Sequence, residues 1–369
     1  MGVRAAANRA AARMQLLHLR WIGRGLVVVM LAGLVLALLG LRRFLPTLAS
    51  VLDPADLALL LRFLGVFLLV LIPTAGIYSV VTQYAFWEGW LDGLPAPEEL
   101  FNAPAPPPAQ LSVRRYVVYL DGIHQCERDH PPRVAAFLEL LERQLPADTQ
   151  LLRGLETYTV MPVALREDTG SSWFWRRVFA LQEHHPYGLV QLVCAVLVQA
   201  NNVIKVGISS DRRYGPILNY ELALKIALRL ADAGFYPGQG CELVLLGYSG
   251  GGEMAMGVAD YLRRICRSPV RIITVCGVFS ANQVLDAVDQ ITTVVGTADP
   301  VAAFGRIAYP GRLPWMVLSN WNQALRDGLV RRRVIPGMSH NGKQGPFAPG
   351  GREAVVNQVV AELGAASGA

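Results

Sequence analysis

The sequence predicts an α/β domain, a mostly parallel sheet flanked by helices, preceded by two transmembrane helices. Over residues 111–369, short apolar runs alternate with longer amphipathic ones, as a sheet covered by helices requires. Near the amino end lie two long stretches without a charged residue, and a proline-rich segment follows them. Of the 369 residues, 53% are apolar, which is high for a soluble enzyme and low for a polytopic transporter.

The two uncharged stretches, residues 25–41 and 63–87, predict a membrane anchor over residues 25–90. Each is close to or above the roughly 20 residues that a helix needs to cross a bilayer. A cleaved secretory signal is the alternative for the first, but Arg42 and Arg43 behind its apolar core argue against cleavage. A buried core helix is the alternative for the second. Its end is rich in the aromatic residues that favour the headgroup region, namely Tyr84, Phe86, Trp87 and Trp90.

Flanking charge predicts the orientation of the anchor. Residues 1–24 contain five arginines and no acidic residue, so we expect this basic tail to stay in the cytoplasm. Two crossings would return the chain to the same side and place the large domain there. Opposing this bias, the intervening loop contains Arg42, Arg43 and Arg62.

Residues 91–110 are expected to form a stiff linker, since six prolines hold the backbone extended: Pro95, Pro97, Pro104, Pro106, Pro107 and Pro108. The five cysteines are widely spaced and match no metal-binding or redox pattern, so we expect buried thiols, no metal and no cofactor. The net charge of +6 favours contact with anionic lipid over nucleic acid. No feature indicates an oligomeric state.

Apolar runs predict five strands, and amphipathic segments predict three helices. The strands are 116–120, 243–246, 272–276, 291–295 and 315–318, and the helices are 131–145, 219–233 and 253–266. Between them, residues 167–215 resemble an insert in the core. Its apolar run 187–200 is too short to span a bilayer and predicts a buried helix, with a lid at the lipid interface as the alternative.

One segment predicts a nucleophile. The apolar strand that ends at residue 246 runs directly into Gly247-Tyr248-Ser249-Gly250-Gly251, which predicts a sharp strand-to-helix turn that presents the hydroxyl of Ser249. Glycine is needed there because larger side chains would collide with the adjoining backbone. An ordinary tight turn is the alternative.

Two downstream residues can activate such a serine. Asp299 follows the predicted strand 291–295, and His340 lies in a glycine-bounded loop. A serine needs a general base, and the base needs a carboxylate that holds its tautomer. The alternatives are a helix N-cap at Asp299, which is compatible with a catalytic role, and a surface loop at His340. Rival bases are His124, His130, His184 and His185, but none of them follows Asp299 in the chain.

Together, the segments 247–251, 295–300 and 337–340 resemble the three signature segments of the α/β-hydrolase superfamily, in the same Ser, Asp, His order. The resemblance implies the α/β-hydrolase fold, with Ser249 as nucleophile, Asp299 as orienting acid and His340 as general base. It also implies an oxyanion hole made by the N–H of Gly250 and that of Gly122 or Ile123. The chain departs from the lipase pattern by having Asp121 before that glycine, and the strand at 116 follows the linker without a preceding hairpin.

The resulting hypothesis is a membrane-anchored serine hydrolase that cleaves a carboxylic ester or thioester through an acyl-enzyme on Ser249. An apolar or lipid-like acyl substrate is expected because the domain is tethered beside lipid and its insert is rich in aromatic residues. Two alternatives stay open at this point. One is a catalytically silent membrane scaffold or ligand-binding module, and the other is an acyltransferase with the same three residues.

Overall fold

The computed structural model describes residues 113–125, 130–158, 173–184, 186–283 and 285–364, together with Ala58, Arg62, Gly65 and Phe101. The chain divides into two compact units, Met1–Val81 and Thr82–Ala369. In the first unit the three described residues are helical. The predicted tail, the first predicted span 25–41 and the second span 63–87 apart from Gly65 lie outside the described residues.

The second unit is built on a six-stranded parallel sheet. Its strands are β1 (Arg115–Leu120), β2 (Thr149–Leu152), β3 (Glu242–Tyr248), β4 (Val270–Val275), β5 (Gln290–Gly296) and β6 (Val330–Ile335). They are arranged in the order β2-β1-β3-β4-β5-β6. Because the order reverses between β1 and β3, a crevice opens at the carboxyl ends of these two strands, which is where open α/β sheets bind ligands.

Eight α-helices are described around this sheet. They are α1 (Pro132–Gln144), α2 (Trp173–His184), α3 (Gly188–Ser210), α4 (Gly215–Asp232), α5 (Gly251–Cys266), α6 (Pro300–Ala308), α7 (Asn320–Arg326) and α8 (Pro349–Gly364). The predicted α/β architecture is therefore present in the described part of the chain. The three helices predicted from amphipathic segments correspond to α1, α4 and α5.

Alternation along the strands divides the core into two layers. Along β1, Tyr116, Val118 and Leu120 pack on one face of the sheet with α4, α5 and α7. Val117 and Tyr119 point to the opposite face, where they meet α1 and α8. Since both faces are covered, the central strands are mostly apolar, as is typical of a parallel sheet.

The predicted insert contains α2 and α3 in its described part. Helix α3 extends ten residues beyond the carboxyl end of the apolar run 187–200. Within the described residues, Val190–Ser210 is the one stretch whose length and composition suffice for a membrane crossing, with a mean hydropathy of 1.6 and 41% of it buried. Core helices of soluble proteins meet the same criterion.

The buried side of α3 fits the expectation of a helix packed against the domain. Val198, Asn202, Lys205 and Val206 are buried there. The amide of Asn202 donates to the carbonyl oxygens of Ile123 and Gln125, at 2.8 and 3.0 Å. Helix α3 is thus hydrogen-bonded to the loop that follows β1.

One predicted strand is wrong. Residues 315–318 form turns whose side chains are exposed. The amide of Asn322 donates to the carbonyl oxygens of Leu313 and Met316 at 2.8 and 2.9 Å, so a side chain partly replaces the ladder hydrogen bonds. Strands β2 and β6 were not predicted from the sequence. The arginines of β6 are compatible with a strand because β6 is an edge of the described sheet.

Two further expectations meet described residues. Phe101, within the predicted linker, packs edge-on against Phe235 with ring centroids 6.0 Å apart, so this part of the linker contacts the domain. Cys194, Cys241, Cys266 and Cys276 are free and buried, as expected. Cys126 lies outside the described residues.

Candidate active site

Ser249 lies at the turn between β3 and α5 in a left-handed backbone conformation, with φ of 50°. Non-glycine residues rarely adopt this conformation, which costs about 1–3 kcal/mol. The turn is held by hydrogen bonds from Ser249 N–H to Val275 O at 3.1 Å and from Val278 N–H to Ser249 O at 2.9 Å. Ser249 is therefore fixed at the carboxyl edge of the sheet by the backbone around it.

The glycines of this turn are sterically required. A Cβ atom on Gly247 would lie 2.5 Å from the carbonyl oxygen of Gly251, and one on Gly251 would lie 2.2 Å from that of Leu120. Both distances are far below van der Waals contact with backbone atoms that cannot move aside. The geometry agrees with the steric reason for predicting a sharp turn from the sequence.

The structure brings the three sequence-predicted residues into one hydrogen-bonded chain. His340 Nε2 lies 2.9 Å from Ser249 Oγ. Its Nδ1 lies 3.0 and 3.1 Å from the two carboxylate oxygens of Asp299. All three side chains are buried, although they come from three loops that follow β3, β5 and β6. His340 is thus in a position to take a proton from the serine while the carboxylate orients its ring.

Asp299 also caps α6, so the N-cap contact and the contact with His340 occur together. Its Oδ1 accepts a hydrogen bond from the N–H of Ala302 at 2.9 Å. Burial raises the pKa of Asp299, but hydrogen bonds from His340, Ala302 N–H and the Cys276 thiol more than offset this, so the pKa lies below its ordinary value. The carboxylate is therefore ionised at neutral pH.

Cys276 adjoins the same carboxylate from the end of β4. It has a φ of 50°, like Ser249. Burial, and then the negative charge of Asp299, raise the pKa of its thiol, so the neutral thiol can donate to the carboxylate. Donor atoms of Cys276, Asp299 and His340 lie within 4.8 Å of one another, close enough to hold a metal ion. In the described structure they are hydrogen-bonded to each other instead.

Among the described residues, the backbone N–H groups of Gly250 and Ile123 make no hydrogen bond to another backbone group. The N–H of Gly122, in contrast, donates to Asp121 Oδ1 at 2.7 Å. A Cβ atom on Gly250 would lie 3.0 Å from Cγ2 of Ile123, so the two N–H-bearing residues are neighbours. Of the two donors left open by the sequence, the geometry favours Ile123 over Gly122.

Tyr248 was not predicted to have a role, although it precedes the serine. Its hydroxyl lies 2.9 Å from His340 O and 2.6 Å from Asn341 Oδ1, and it can donate to either. The ring also stacks on the imidazole, with centroids 5.5 Å apart. Tyr248 therefore positions the histidine loop from beneath. Sequence offers no signal for this contact because the two segments are 92 residues apart.

Asp121, the departure from the lipase pattern, belongs to a buried polar cluster. Its Oδ2 lies 2.9 Å from Nδ1 of His130. The opposite ring nitrogen, Nε2, accepts from the N–H of Gly154 at 3.1 Å. Because a backbone N–H can only donate, His130 is neutral in this arrangement and donates from Nδ1. This histidine is a structural support of the loop after β1 and not a base for Ser249.

A cavity of about 200 Å³ opens beside His340. Its walls include Gly122, His124, Tyr248 and Phe347. His124 therefore lines the cavity, whereas His184 is exposed at the end of α2 and His185 lies outside the described residues. The cavity adjoins the histidine and the loop after β1.

Comparisons with known proteins give a distant likeness. No family model matches the chain, and no curated protein matches it. A crystal structure of esterase PE8 resembles it with a TM-score of 0.37 and 17% sequence identity, over 70% of this chain and 95% of that chain. Similarity of this degree does not identify an activity.

Proposed function

We propose that this protein is a serine hydrolase of the α/β-hydrolase type that cleaves a carboxylic ester or thioester through an acyl-enzyme on Ser249. The single observation that carries the proposal is the hydrogen-bonded chain from Ser249 through His340 to Asp299 at a strained strand-to-helix turn. Strained conformations persist at functional sites, where the surrounding structure holds them in place.

In the first half of the reaction, Ser249 Oγ attacks the substrate carbonyl carbon while His340 Nε2 takes the hydroxyl proton. The tetrahedral intermediate collapses, the bond to the alcohol or thiol breaks, and His340 returns the proton to that leaving group. In the second half, His340 takes a proton from water, whose oxygen attacks the acyl-enzyme. The acid is released, and the proton returns to Ser249. Asp299 keeps Nδ1 protonated and stabilises the imidazolium.

The negative charge that develops on the carbonyl oxygen would be bound by the N–H groups of Gly250 and Ile123. Donors of this kind contribute about 2.7–4 kcal/mol each to transition-state stabilisation in serine hydrolases. Gly250 also lies at the amino end of α5, where the helix dipole favours negative charge. Gly122 would act through its lack of a side chain, since a Cβ there would lie 3.3 Å from Cβ of Ser249.

An apolar acyl group is the substrate class that the surroundings favour. A Cβ atom on Gly250 would lie 3.0 Å from both Ile123 Cγ2 and Val206 Cγ2 and 2.8 Å from the hydroxyl of Tyr158, so two aliphatic side chains and one phenol adjoin the oxyanion region. We also propose that the chain is membrane-anchored through residues 25–90, with its hydrolase domain on the cytoplasmic side. A lipid-like substrate would then reach the site from the bilayer. Helix α3, which covers this region, is a candidate for the lid.

Detergent-solubilised protein treated with a fluorophosphonate probe tests the activity. We expect labelling of the wild type, none of Ser249→Ala, and strongly reduced labelling of Asp299→Asn and His340→Ala. Ser339→Ala, next to the histidine, is the matched control and should label normally. An unlabelled wild type, or equal labelling of the Ser249 variant, would reject the enzyme in favour of the silent binding module.

Product analysis separates hydrolysis from acyl transfer, since both pass through the same acyl-enzyme. In the presence of an added long-chain alcohol, free acid as the main product identifies a hydrolase and the new ester identifies a transferase. For topology, protease treatment of sealed right-side-out vesicles should leave the large domain intact, and its digestion would refute the orientation.

A further inference from the structure

The segment between Asp299 and α7 exposes an unusual number of large apolar side chains. On α6, Phe304 is 66% exposed and Ile307 is 71% exposed. In the turns that follow, Trp315 is 71% exposed and Leu318 is 83% exposed. Together with Val301, Met316 and Val317 these residues form what we call the 301–318 surface. Single exposed apolar residues are normal, but clusters of them mark binding sites.

The pattern along α6 shows that this exposure is systematic. Ala302 and Gly305 face the domain and are buried. Val301, Phe304 and Ile307, spaced at three-residue intervals, point outward. The buried side of this helix has small residues and the outward side has large apolar ones. A helix that packs on a protein core usually has its large apolar residues on the buried side.

Positive charge accompanies this apolar surface. Between residues 300 and 326 there is no aspartate or glutamate, while Arg306, Arg312 and Arg326 are present. Arg306 is partly exposed on α6, and its neighbour Arg332 of β6 is exposed. Arg312 is held against the domain instead, since its guanidinium lies 3.8 Å from the ring centroid of Phe279 and donates to Phe279 O at 3.2 Å. Arg306, Arg326 and Arg332 are therefore the basic residues beside the apolar side chains that an anion can reach.

We infer that the 301–318 surface docks onto an anionic lipid bilayer, with Phe304, Ile307 and the 315–318 turns inserted at the level of the headgroups and with Arg306, Arg326 and Arg332 beside lipid phosphates. An amphipathic helix with an aromatic and aliphatic face beside basic residues is the usual form of an interfacial segment. Trp315 suits the boundary, since tryptophan concentrates at membrane interfaces. Residues 301–318 contain arginines and no acidic residue. Two copies of this surface would therefore repel each other, whereas an anionic bilayer would attract it.

This contact adjoins the candidate active site. Helix α6 begins directly after Asp299. Tyr309, which follows α6, has a side-chain hydrogen bond with Ser210 at the end of α3. Docking would therefore hold the helix that covers Gly250 next to the bilayer. The inference concerns lipid contact and not turnover, so it stands or falls separately from the proposed hydrolase activity.

Nitroxide quenching tests the docking in the full-length protein. An environment-sensitive fluorophore is attached at Val317→Cys, at Phe304→Cys and at the control Glu139→Cys, which is exposed on α1, on the other face of the sheet from α7. Each protein is combined with phosphatidylcholine vesicles that contain phosphatidylglycerol and nitroxide-labelled lipid, and the parent protein gives the labelling background of the native cysteines. We expect a blue shift and loss of emission at 304 and 317, and neither at 139.

Each other outcome is decisive. No quenching at 304 and 317 overturns the inference. A blue shift without quenching by nitroxide lipid means that a second copy or another segment of this chain covers the surface, which also overturns it. Equal quenching in vesicles without phosphatidylglycerol, or in the Arg306→Gln/Arg332→Gln double variant, would overturn the role of the arginines.

Discussion

Asp299→Asn separates the two roles of this residue. The substitution keeps the size of the side chain and an oxygen that can accept from Ala302 N–H, the cap contact of 2.9 Å. Asparagine and aspartate are about equally good N-caps, so the free energy of unfolding at neutral pH should change mainly through the lost contact with the histidine. In the wild type, Nδ1 of His340 lies 3.0–3.1 Å from the two carboxylate oxygens of Asp299, which are acceptors. In the asparagine variant an amide N–H, which is a donor, would face Nδ1 instead.

An amide donor there favours the tautomer with the proton on Nε2, which then points at Ser249 and cannot accept its proton. In serine hydrolases this exchange lowers kcat by about 10⁴-fold, equivalent to about 5 kcal/mol of activation free energy. The assay is steady-state hydrolysis of a p-nitrophenyl ester, with thermal unfolding measured on the same sample. Asp299→Ala is the comparison, since it also loses the N-cap contact. Its free energy of unfolding should be about 1 kcal/mol lower than that of the asparagine variant. Activity of Asp299→Asn within about tenfold of wild type would refute the reasoning.

Three further predictions concern the support of the site. Gly247→Ala should destabilise the protein by about 3 kcal/mol or more in denaturant unfolding, because its Cβ would lie 2.5 Å from Gly251 O. The control is Gly207→Ala on α3, which should stabilise the protein by up to about 1 kcal/mol because its Cβ would have no atom within 4 Å. Equal effects of the two substitutions would contradict the steric account. Tyr248→Phe removes the hydroxyl contacts to the histidine loop but keeps the stacked ring, so kcat should fall about tenfold with the fold intact, and an unchanged kcat would remove the positioning role. Because the pKa of Asp299 lies below its unfolded value, its contribution to stability is present above about pH 4 and is lost as the pH falls through the folded pKa. Wild type should therefore lose more stability than Asp299→Asn between about pH 5 and pH 3, and parallel curves would argue against the lowered pKa.

The residues that could be found from the sequence are those whose chemistry depends on local backbone geometry. The strand-to-helix turn at Ser249 was predictable because Gly247 and Gly251 indicate a steric demand within five residues. Asp299 was found by its position after a predicted strand and His340 by its place in a glycine-bounded loop. The structure places the imidazole of His340 within hydrogen-bonding distance of both Asp299 and Ser249. Chain order then sufficed to prefer His340 over His130.

Features that depend on contacts between distant segments were missed. Hydrophobic pattern placed a strand at 315–318, where the apolar residues are exposed, and overlooked β6, whose arginines are tolerated at a sheet edge. The choice between Gly122 and Ile123 depended on Asp121, which occupies the N–H of Gly122. Tyr248 and Cys276 support the histidine and the carboxylate through tertiary contacts alone, so their own segments gave no indication of a role.

The central claim is that Ser249 becomes covalently acylated. Wild-type protein mixed with a p-nitrophenyl ester, quenched in acid and digested, should yield the peptide containing Ser249 with the mass of the acyl group added and the acyl group localised on the serine by fragmentation. An ester that is hydrolysed without any acylated peptide, or with the acyl group on another residue, would contradict the account.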